Sequence, residues 1–157
     1  MKRFFSFFAL ALFATTASFA QSNVATQQVS INVAEIAVIA VQGNVSMTIN
    51  QATAGQAPDA ATASATYAVT TNGTQKKITA ELDTDMPTGL TLSATMAAPS
   101  GATSAGKTAL SSNAVDLVTN VTKVRGNGLS LSYEAVATVD ANPENVSRTV
   151  TYTITNN

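Results

Sequence analysis

The chain has 157 residues and a formal net charge of −1, and it contains no cysteine, histidine or tryptophan. These absences remove the commonest metal ligands, a thiol nucleophile, disulfide bonds and a Ser-His-Asp triad. All six phenylalanines lie within the first 19 residues, so residues 21–157 have only three aromatic residues. Residues 21–157 contain six basic and nine acidic residues, which give a net charge of −3. This negative charge argues against a nucleic-acid partner.

The first twenty residues have the pattern of a secretory signal peptide. Lys2 and Arg3 form a positive n-region, an apolar run of about ten residues follows, and Ser18-Phe19-Ala20 places small residues at the third and first positions before Gln21. The apolar run is too short for the ~20 residues of a membrane-spanning helix. We therefore expect a signal peptide over residues 1–20, cleaved after Ala20. The mature protein is then exported, to the periplasm, the cell surface or the extracellular space, without a membrane span.

Alternation of apolar and polar residues with a period of two dominates the rest of the chain. It is clearest in the last strand, Val146–Ile154, where the apolar even positions oppose a ladder of serine and threonine hydroxyls. Further strands are predicted at Val29–Val33, Val45–Ile49, Ala65–Thr70, Ile78–Leu82, Leu90–Met96, Val115–Val121 and Leu129–Val139. With no helical period after residue 20, this pattern predicts an all-β fold, an antiparallel β-sandwich (Ig-like or pilin-like) of eight or nine strands, in one domain over residues 21–157.

Several segments interrupt this alternation. Ile36–Val41 is apolar on both faces, which predicts a strand that is covered on both sides or crosses between sheets. Gln51–Ala63 and Ala97–Asn113 are predicted as loops, the second with a short strand near Leu110. Turn residues predict a hairpin at Asn72-Gly73 and reversals at Pro87-Thr88-Gly89, Gly126-Asn127-Gly128 and Asn142-Pro143.

The predicted core is thin, because alanine supplies 23 of the residues after position 20. A small apolar side chain contributes less burial free energy than valine, isoleucine or leucine, each of which yields ~1.5–3 kcal/mol. Such a core can be stabilised in two ways, by close spacing of the sheets over alanine or by packing against a neighbouring chain.

Three carboxylates at alternate positions are the first candidates for a metal site. Glu81, Asp83 and Asp85 resemble the start of a calcium loop, but Met86 occupies the position at which such a loop needs glycine. Asp140, Asn142 and Glu144 form a second acidic turn with the same weakness. Ordinary turn chemistry, in which the side chains accept hydrogen bonds from nearby backbone N–H groups, is the favoured interpretation. No cofactor, catalytic residue or firm metal site is therefore predicted, and we expect the protein not to be an enzyme.

The strand pattern resembles small secreted bacterial β-sandwich proteins, a group that includes pilin-like and cell-surface subunits. The resemblance rests on the signal peptide, the Val/Thr strands between residues 26 and 155, and the terminal strand Val146–Ile154. It implies a structural or adhesive surface protein with possible self-association through strand edges, at Gln21–Val33 or at Val146–Ile154. Pairing of these segments within their own domain is the competing expectation.

A second class of function stays open at this point. The two predicted loops, Gln51–Ala63 and Ala97–Asn113, could form the binding surface of a monomeric module that recognises a glycan or a protein partner. This alternative predicts a pocket lined by both loops.

Overall fold

Nine strands in two antiparallel sheets make up the regular structure of residues 23–157, the part of the chain that this computed structural model describes. The strands are β1 (Ala37–Gln42), β2 (Ala61–Thr71), β3 (Lys76–Leu82), β4 (Leu90–Met96), β5 (Thr103–Ser104), β6 (Thr108–Ala109), β7 (Val115–Val121), β8 (Val124–Ala137) and β9 (Val150–Asn156). One sheet has the order β1-β2-β8-β4-β6, and the other has the order β5-β7-β3-β9. The predicted all-β antiparallel sandwich is confirmed.

The alternation seen in the sequence decides which side chains lie between the sheets. In β9 the side chains of Val150, Tyr152 and Ile154 are half-buried and pack against the core, while the intervening threonines are exposed. The largest fully buried side chains come from both sheets; they include Tyr67, Ile78, Met96, Leu117 and Leu131. Among residues 23–157, no helix is long and apolar enough to cross a membrane.

Residues 33–157 form one compact unit, and residues 23–32 belong to a separate unit. The predicted signal peptide, its cleavage after Ala20 and the start of the mature domain at Gln21 all lie outside the described residues. They stay predictions.

Two turn predictions are wrong, for reasons that the register makes clear. Asn72-Gly73 does not close a hairpin, because it links β2 in one sheet to β3 in the other. Residues 126–128 do not reverse the chain but lie inside β8. Between the pairs Tyr67↔Leu129 and Val69↔Gly126, β8 has one more residue than β2, which is a β-bulge. Gly128 has a φ of 64°, a left-handed conformation that glycine adopts without strain.

Three strand predictions are wrong in whole or in part. Of the segment predicted at Val29–Val33, no residue is in a strand. Residues 45–49 are also outside the sheets, because Gly43, with a φ of 84°, turns the chain away from β2 after the pair Gln42↔Thr66. The last strand begins at Val150 and not at Val146, since its partner β3 ends at Leu82, opposite Val150.

The interpretation of Ile36–Val41 as a doubly covered or crossing strand is also wrong. The strand that forms there, β1, is an edge strand that pairs only with β2. Its side chain Val38 is 55% exposed, while Ile39 and Val41 on the other face are half-buried against the core. The apolar character of the exposed face therefore reflects an uncovered surface.

A matched pair of valine substitutions tests where the core lies. Val118 is fully buried in β7, and Val139 is 82% exposed. We expect Val118→Ala to lower the free energy of unfolding by about 2 kcal/mol or more, from lost apolar burial plus a residual cavity. The same substitution at Val139 should change it by less than about 0.5 kcal/mol. Urea unfolding measures both, and equal losses at the two positions would contradict this core.

Candidate functional site

A cleft of about 770 Å³ opens at the end of the sandwich where β3 ends and β9 begins. Its floor comes from the inward faces of β4 and β8, and its two walls are irregular segments, residues 44–50 and residues 144–149. The apolar side chains that line it are Val45, Met47, Ile49, Ala52, Pro58, Met86, Pro87, Leu90, Leu92, Tyr133, Ala135, Ala137, Ala141, Pro143, Val146 and Val150.

The floor of this cleft is core that the protein covers incompletely. The relative solvent exposure is 6–8% for the floor residues Leu92, Tyr133, Ala135 and Ala137. It is zero for Ile78 and Leu117, which lie deeper between the sheets. The two alanines leave space that larger side chains would fill. The thin core expected from the composition is therefore concentrated at this end of the sandwich.

The first wall, residues 44–50, behaves like a strand that lacks a partner. Met47 and Ile49 are half-buried in the cleft, and the residues between and beside them are exposed, which is the alternation of a strand. No hydrogen bond joins the backbone of residues 44–50 to another described residue. The sequence predicted a strand here, and the fold supplies no ladder for it.

The second wall, residues 144–149, has the same character. Val146 and Arg148 are half-buried and alternate with the exposed residues Ser147 and Thr149. Arg148 Nε and Nη2 donate to the carbonyl oxygen of Asp85 at 3.1 and 3.0 Å, which ties this wall to the loop after β3. At its far end, Thr149 exchanges hydrogen bonds with Asp83. The wall is thus held in place while the backbone of residues 144–146 has no partner among the described residues.

The outer edge of β9 continues this unpaired surface. Bonds from Asp83 N to Thr149 O and from Asn157 N to Gln75 O identify the odd-numbered residues as those that face β3. Because an antiparallel ladder alternates, the N–H and C=O groups of Val150, Tyr152 and Ile154 point to the open edge. β1 lies beside β9 on this flank without a ladder between them.

A pair of tyrosines connects the two sheets at the cleft. The hydroxyl groups of Tyr133 in β8 and Tyr152 in β9 are hydrogen-bonded to each other. Burial raises the pKa of both side chains above the usual tyrosine value, so they stay neutral. Elsewhere in the core, the Tyr67 hydroxyl donates to the carbonyl oxygen of Ala97, and burial raises the pKa of Tyr67 to about 12.

The calcium candidates do not converge on one point. Glu81 lies on β3 and pairs across the ladder with Thr151, whereas Asp83 and Asp85 are in the exposed turn that follows. Asp83 Oδ1 accepts a hydrogen bond from Thr149 N at 3.1 Å, and Asp85 Oδ1 accepts one from Ser112 N at 2.6 Å. The Ser112 backbone N–H, with help from its side chain, lowers the pKa of Asp85. Both aspartates therefore fasten distant segments to this turn.

Among residues 23–157 there is no group of three or more acidic, histidine or cysteine side chains that could hold a metal ion. Two of the three carboxylates accept hydrogen bonds from backbone N–H groups that lie far away in the sequence.

A second, polar cleft of about 310 Å³ lies on the outer face of the five-stranded sheet. Its hydroxyl groups belong to Thr62, Ser64, Ser93, Thr95 and Ser132. The ion pair of Lys107 and Glu134 stands beside them. Lys107 comes from one predicted binding loop and Thr62 from the end of the other, so the two loops meet here. The remainder of the first loop, at Gln51, borders the apolar cleft.

The site that sequence reasoning missed is the floor of the apolar cleft. The alternation predicted that Leu92, Tyr133 and Ala135 face inward, but nothing in the pattern indicated that this end would stay open. The two walls of the cleft fall within the predicted strand Val45–Ile49 and the first part of the predicted strand Val146–Ile154, but the sequence did not indicate which strands these would pair with.

Comparisons with protein-family models, with curated proteins and with solved structures found no match to this chain. The fold class that the structure defines is an antiparallel β-sandwich.

An alkaline titration tests the buried tyrosines. Their folded-state pKa values lie above the unfolded value of 10.0, so their contribution to stability is complete below pH 10 and is lost as the pH rises from there, through about 12 for Tyr67. We expect little tyrosinate absorbance at pH 10 in the folded protein, followed by its appearance together with unfolding at higher pH. The urea-unfolded protein, as control, should titrate near pH 10. Ionisation near pH 10 with the circular dichroism unchanged would contradict the burial.

Proposed function

We propose that this protein is an exported, non-enzymatic structural subunit of the bacterial cell surface, pilin-like in that it self-associates through its strand edges. The observation that carries the proposal is the apolar cleft with two strand-like walls, in which the backbone of residues 44–50 and 144–146 has no hydrogen-bond partner among the described residues. Unpaired N–H and C=O groups beside an apolar floor form a template for an additional strand.

The distribution of edges supports self-association on one flank. The edge strands β5 and β6 have two residues each, and very short edges resist pairing with other chains. The edge strands on the other flank, β1 and β9, have six and seven residues and contain no charged side chain. Natural edge strands that must stay unpaired usually carry lysine, proline or inward-facing charges. This flank has none of these protections.

The chemistry of the cleft favours binding over catalysis. The two charged side chains that line it are Glu144 and Arg148, and Arg148 is already bonded to backbone carbonyl oxygens. The Tyr133 hydroxyl is engaged with Tyr152 and is held neutral. An acid–base mechanism needs a pair of titratable groups with opposite tasks, and these residues provide no such pair. Export is proposed from the signal-peptide pattern alone.

Measurement of the solution mass tests self-association. We expect the purified protein to form concentration-dependent oligomers in size-exclusion chromatography with light scattering, and linear assemblies in negative-stain electron microscopy. A strictly monomeric protein at high concentration would rule out the proposal.

The polar cleft supports a second candidate function, a monomeric module that binds a glycan or a protein partner. Hydroxyl groups and one ion pair, of Lys107 and Glu134, are suited to hydrogen bonding with sugar hydroxyls. A monomer that is thermally stabilised by a glycan, with the stabilisation lost in Lys107→Ala, would favour this candidate over the subunit.

A further inference from the structure

One lysine lies where a strand normally carries an apolar side chain. Lys76 begins β3 on the face that Ile78 and Ala80 turn toward the core, and it is 5% exposed. It is the one charged residue in the described part of the chain that is buried. Burial of an ammonium group is costly unless neighbouring groups compensate it. The groups that contact Lys76 therefore decide what this side chain does.

Two side chains meet the ammonium group of Lys76. Asn156 is its cross-strand partner in the β3–β9 ladder, and Lys76 Nζ donates to Asn156 Oδ1 at 2.5 Å. The carboxylate of Glu35, in the segment before β1, forms an ion pair with the same Nζ. Because a carbonyl bond is about 1.2 Å long, Nζ lies no more than about 3.7 Å from Asn156 Cγ. Atoms positioned to react are about 3–3.5 Å apart, so the amine and the amide carbon are close to that arrangement.

Hydrogen bonds from one asparagine hold Glu35 against the lysine. Asn72 Nδ2 donates to Ala34 O at 2.8 Å, and Ile36 N donates to Asn72 Oδ1 at 2.6 Å. These two bonds fix the backbone on both sides of Glu35. Glu35, Lys76 and Asn156 all belong to the compact unit of residues 33–157.

The glycine that follows Asn72 leaves the space in which the two charged side chains meet. A Cβ atom on Gly73 would lie 2.5 Å from Glu35 Oε1 and 2.7 Å from Lys76 Cε, which is too close for either atom. Gly73 does not have a positive φ, so the backbone conformation does not require glycine here. The absence of a side chain at this position therefore serves the contact between Glu35 and Lys76.

We propose that Lys76 and Asn156 form an intramolecular isopeptide bond, a covalent amide between β3 and β9 whose formation Glu35 promotes. Glu35 takes a proton from Nζ, and the lone pair of the resulting amine attacks Asn156 Cγ. A bond forms between Nζ and Cγ, the bond between Cγ and Nδ2 breaks, and Glu35 passes its proton to Nδ2. The nitrogen leaves as ammonia and takes up the second proton lost from Nζ. The Glu35 side chain is 59% exposed, so the ammonium ion has a path to solvent.

This reaction needs no oxidant, reductant or second molecule, and the chain performs it once on itself. The product lacks the atoms of one ammonia molecule and nothing else. The inference is independent of the proposed self-association, because all three groups belong to one chain.

The bond would secure the last strand of the sandwich. β9 pairs with β3 alone, and Asn156 is its last residue. Strand ends at a sheet edge open easily in local unfolding, and a covalent link prevents this opening. It also closes a loop of about eighty residues and so restricts the unfolded chain, as a disulfide does. A chain without cysteine cannot form a disulfide, and the amide supplies the same kind of constraint.

The mass of the intact protein tests the bond directly. We expect the purified, denatured protein to be lighter than its amino-acid sequence by one ammonia molecule. Trypsin should release a branched peptide in which residues 149–157 are joined to the peptide that ends at Lys77, since cleavage after a modified Lys76 is blocked. The loss must be located, because Gln21, the first residue of the predicted mature chain, also loses ammonia if it cyclises. A mass equal to that of the sequence, or a loss confined to Gln21, would overturn the proposal.

Matched substitutions assign the roles of the three groups. Lys76→Arg and Asn156→Ala should each abolish the branched peptide, and the neighbouring substitutions Lys77→Arg and Asn157→Ala should retain it. Glu35→Gln cannot accept the proton, so in protein followed from cell-free synthesis it should slow bond formation at least about a hundredfold. An unchanged rate in Glu35→Gln, or a branched peptide that persists in Asn156→Ala, would contradict the proposal. The wild-type mass decides the matter even if a variant fails to fold.

Discussion

The pairing of backbone N–H and C=O groups is the constraint on which the rest of this structure depends. A strand satisfies it by lying between two others, and the five central strands β2, β8, β4, β7 and β3 do so. The β3–β9 ladder, which runs from Lys76↔Asn156 to Leu82↔Val150, ends because β3 ends. Beyond that pair Thr149 still exchanges hydrogen bonds with Asp83, but the backbone of residues 144–146 has no partner among the described residues, and the apolar cleft begins there.

The small side chains of the core determine what this end of the sandwich can bind. Alanines at positions 135 and 137 leave the floor of the cleft shallowly covered, and Leu92 and Tyr133 keep some exposure. Burying this floor under aliphatic side chains would add ~1.5–3 kcal/mol for each. A neighbouring chain can thus provide the stabilisation that a larger core would provide within one chain. This is one of the two ways to stabilise a thin core that the composition suggested.

Opposite ends of the sandwich carry complementary features. At one end, Asn72 and Lys76 hold the residues that precede β1. At the other end, Asp83, Asp85 and Arg148 fasten the walls of the cleft with hydrogen bonds to distant backbone. These charged and amide side chains therefore connect segments that are distant in the sequence. This use explains why acidic residues that resemble a calcium loop in sequence are dispersed over a turn and its neighbours.

The sequence predicted the fold class because the alternation of Val150, Tyr152 and Ile154 with threonine is a local property that needs no knowledge of partners. It failed where the outcome depends on a partner. Residues 45–49 alternate as well as any strand, but the left-handed Gly43 directs them away from β2. Asn72-Gly73 has the composition of a hairpin turn, yet its two strands belong to different sheets. The cleft is a consequence of such pairing decisions, so the residue pattern alone could not locate it.

Hydrogen exchange at the cleft walls tests the central claim most directly. The amide hydrogens of residues 44–50 and 144–148 should exchange rapidly in the monomer, obtained by dilution, and at least about a hundred times more slowly in the assembly formed at high concentration. That change would show that the walls acquire hydrogen-bond partners on association. Equal exchange in monomer and assembly would contradict the account, because an inserted strand must protect the backbone that it pairs with.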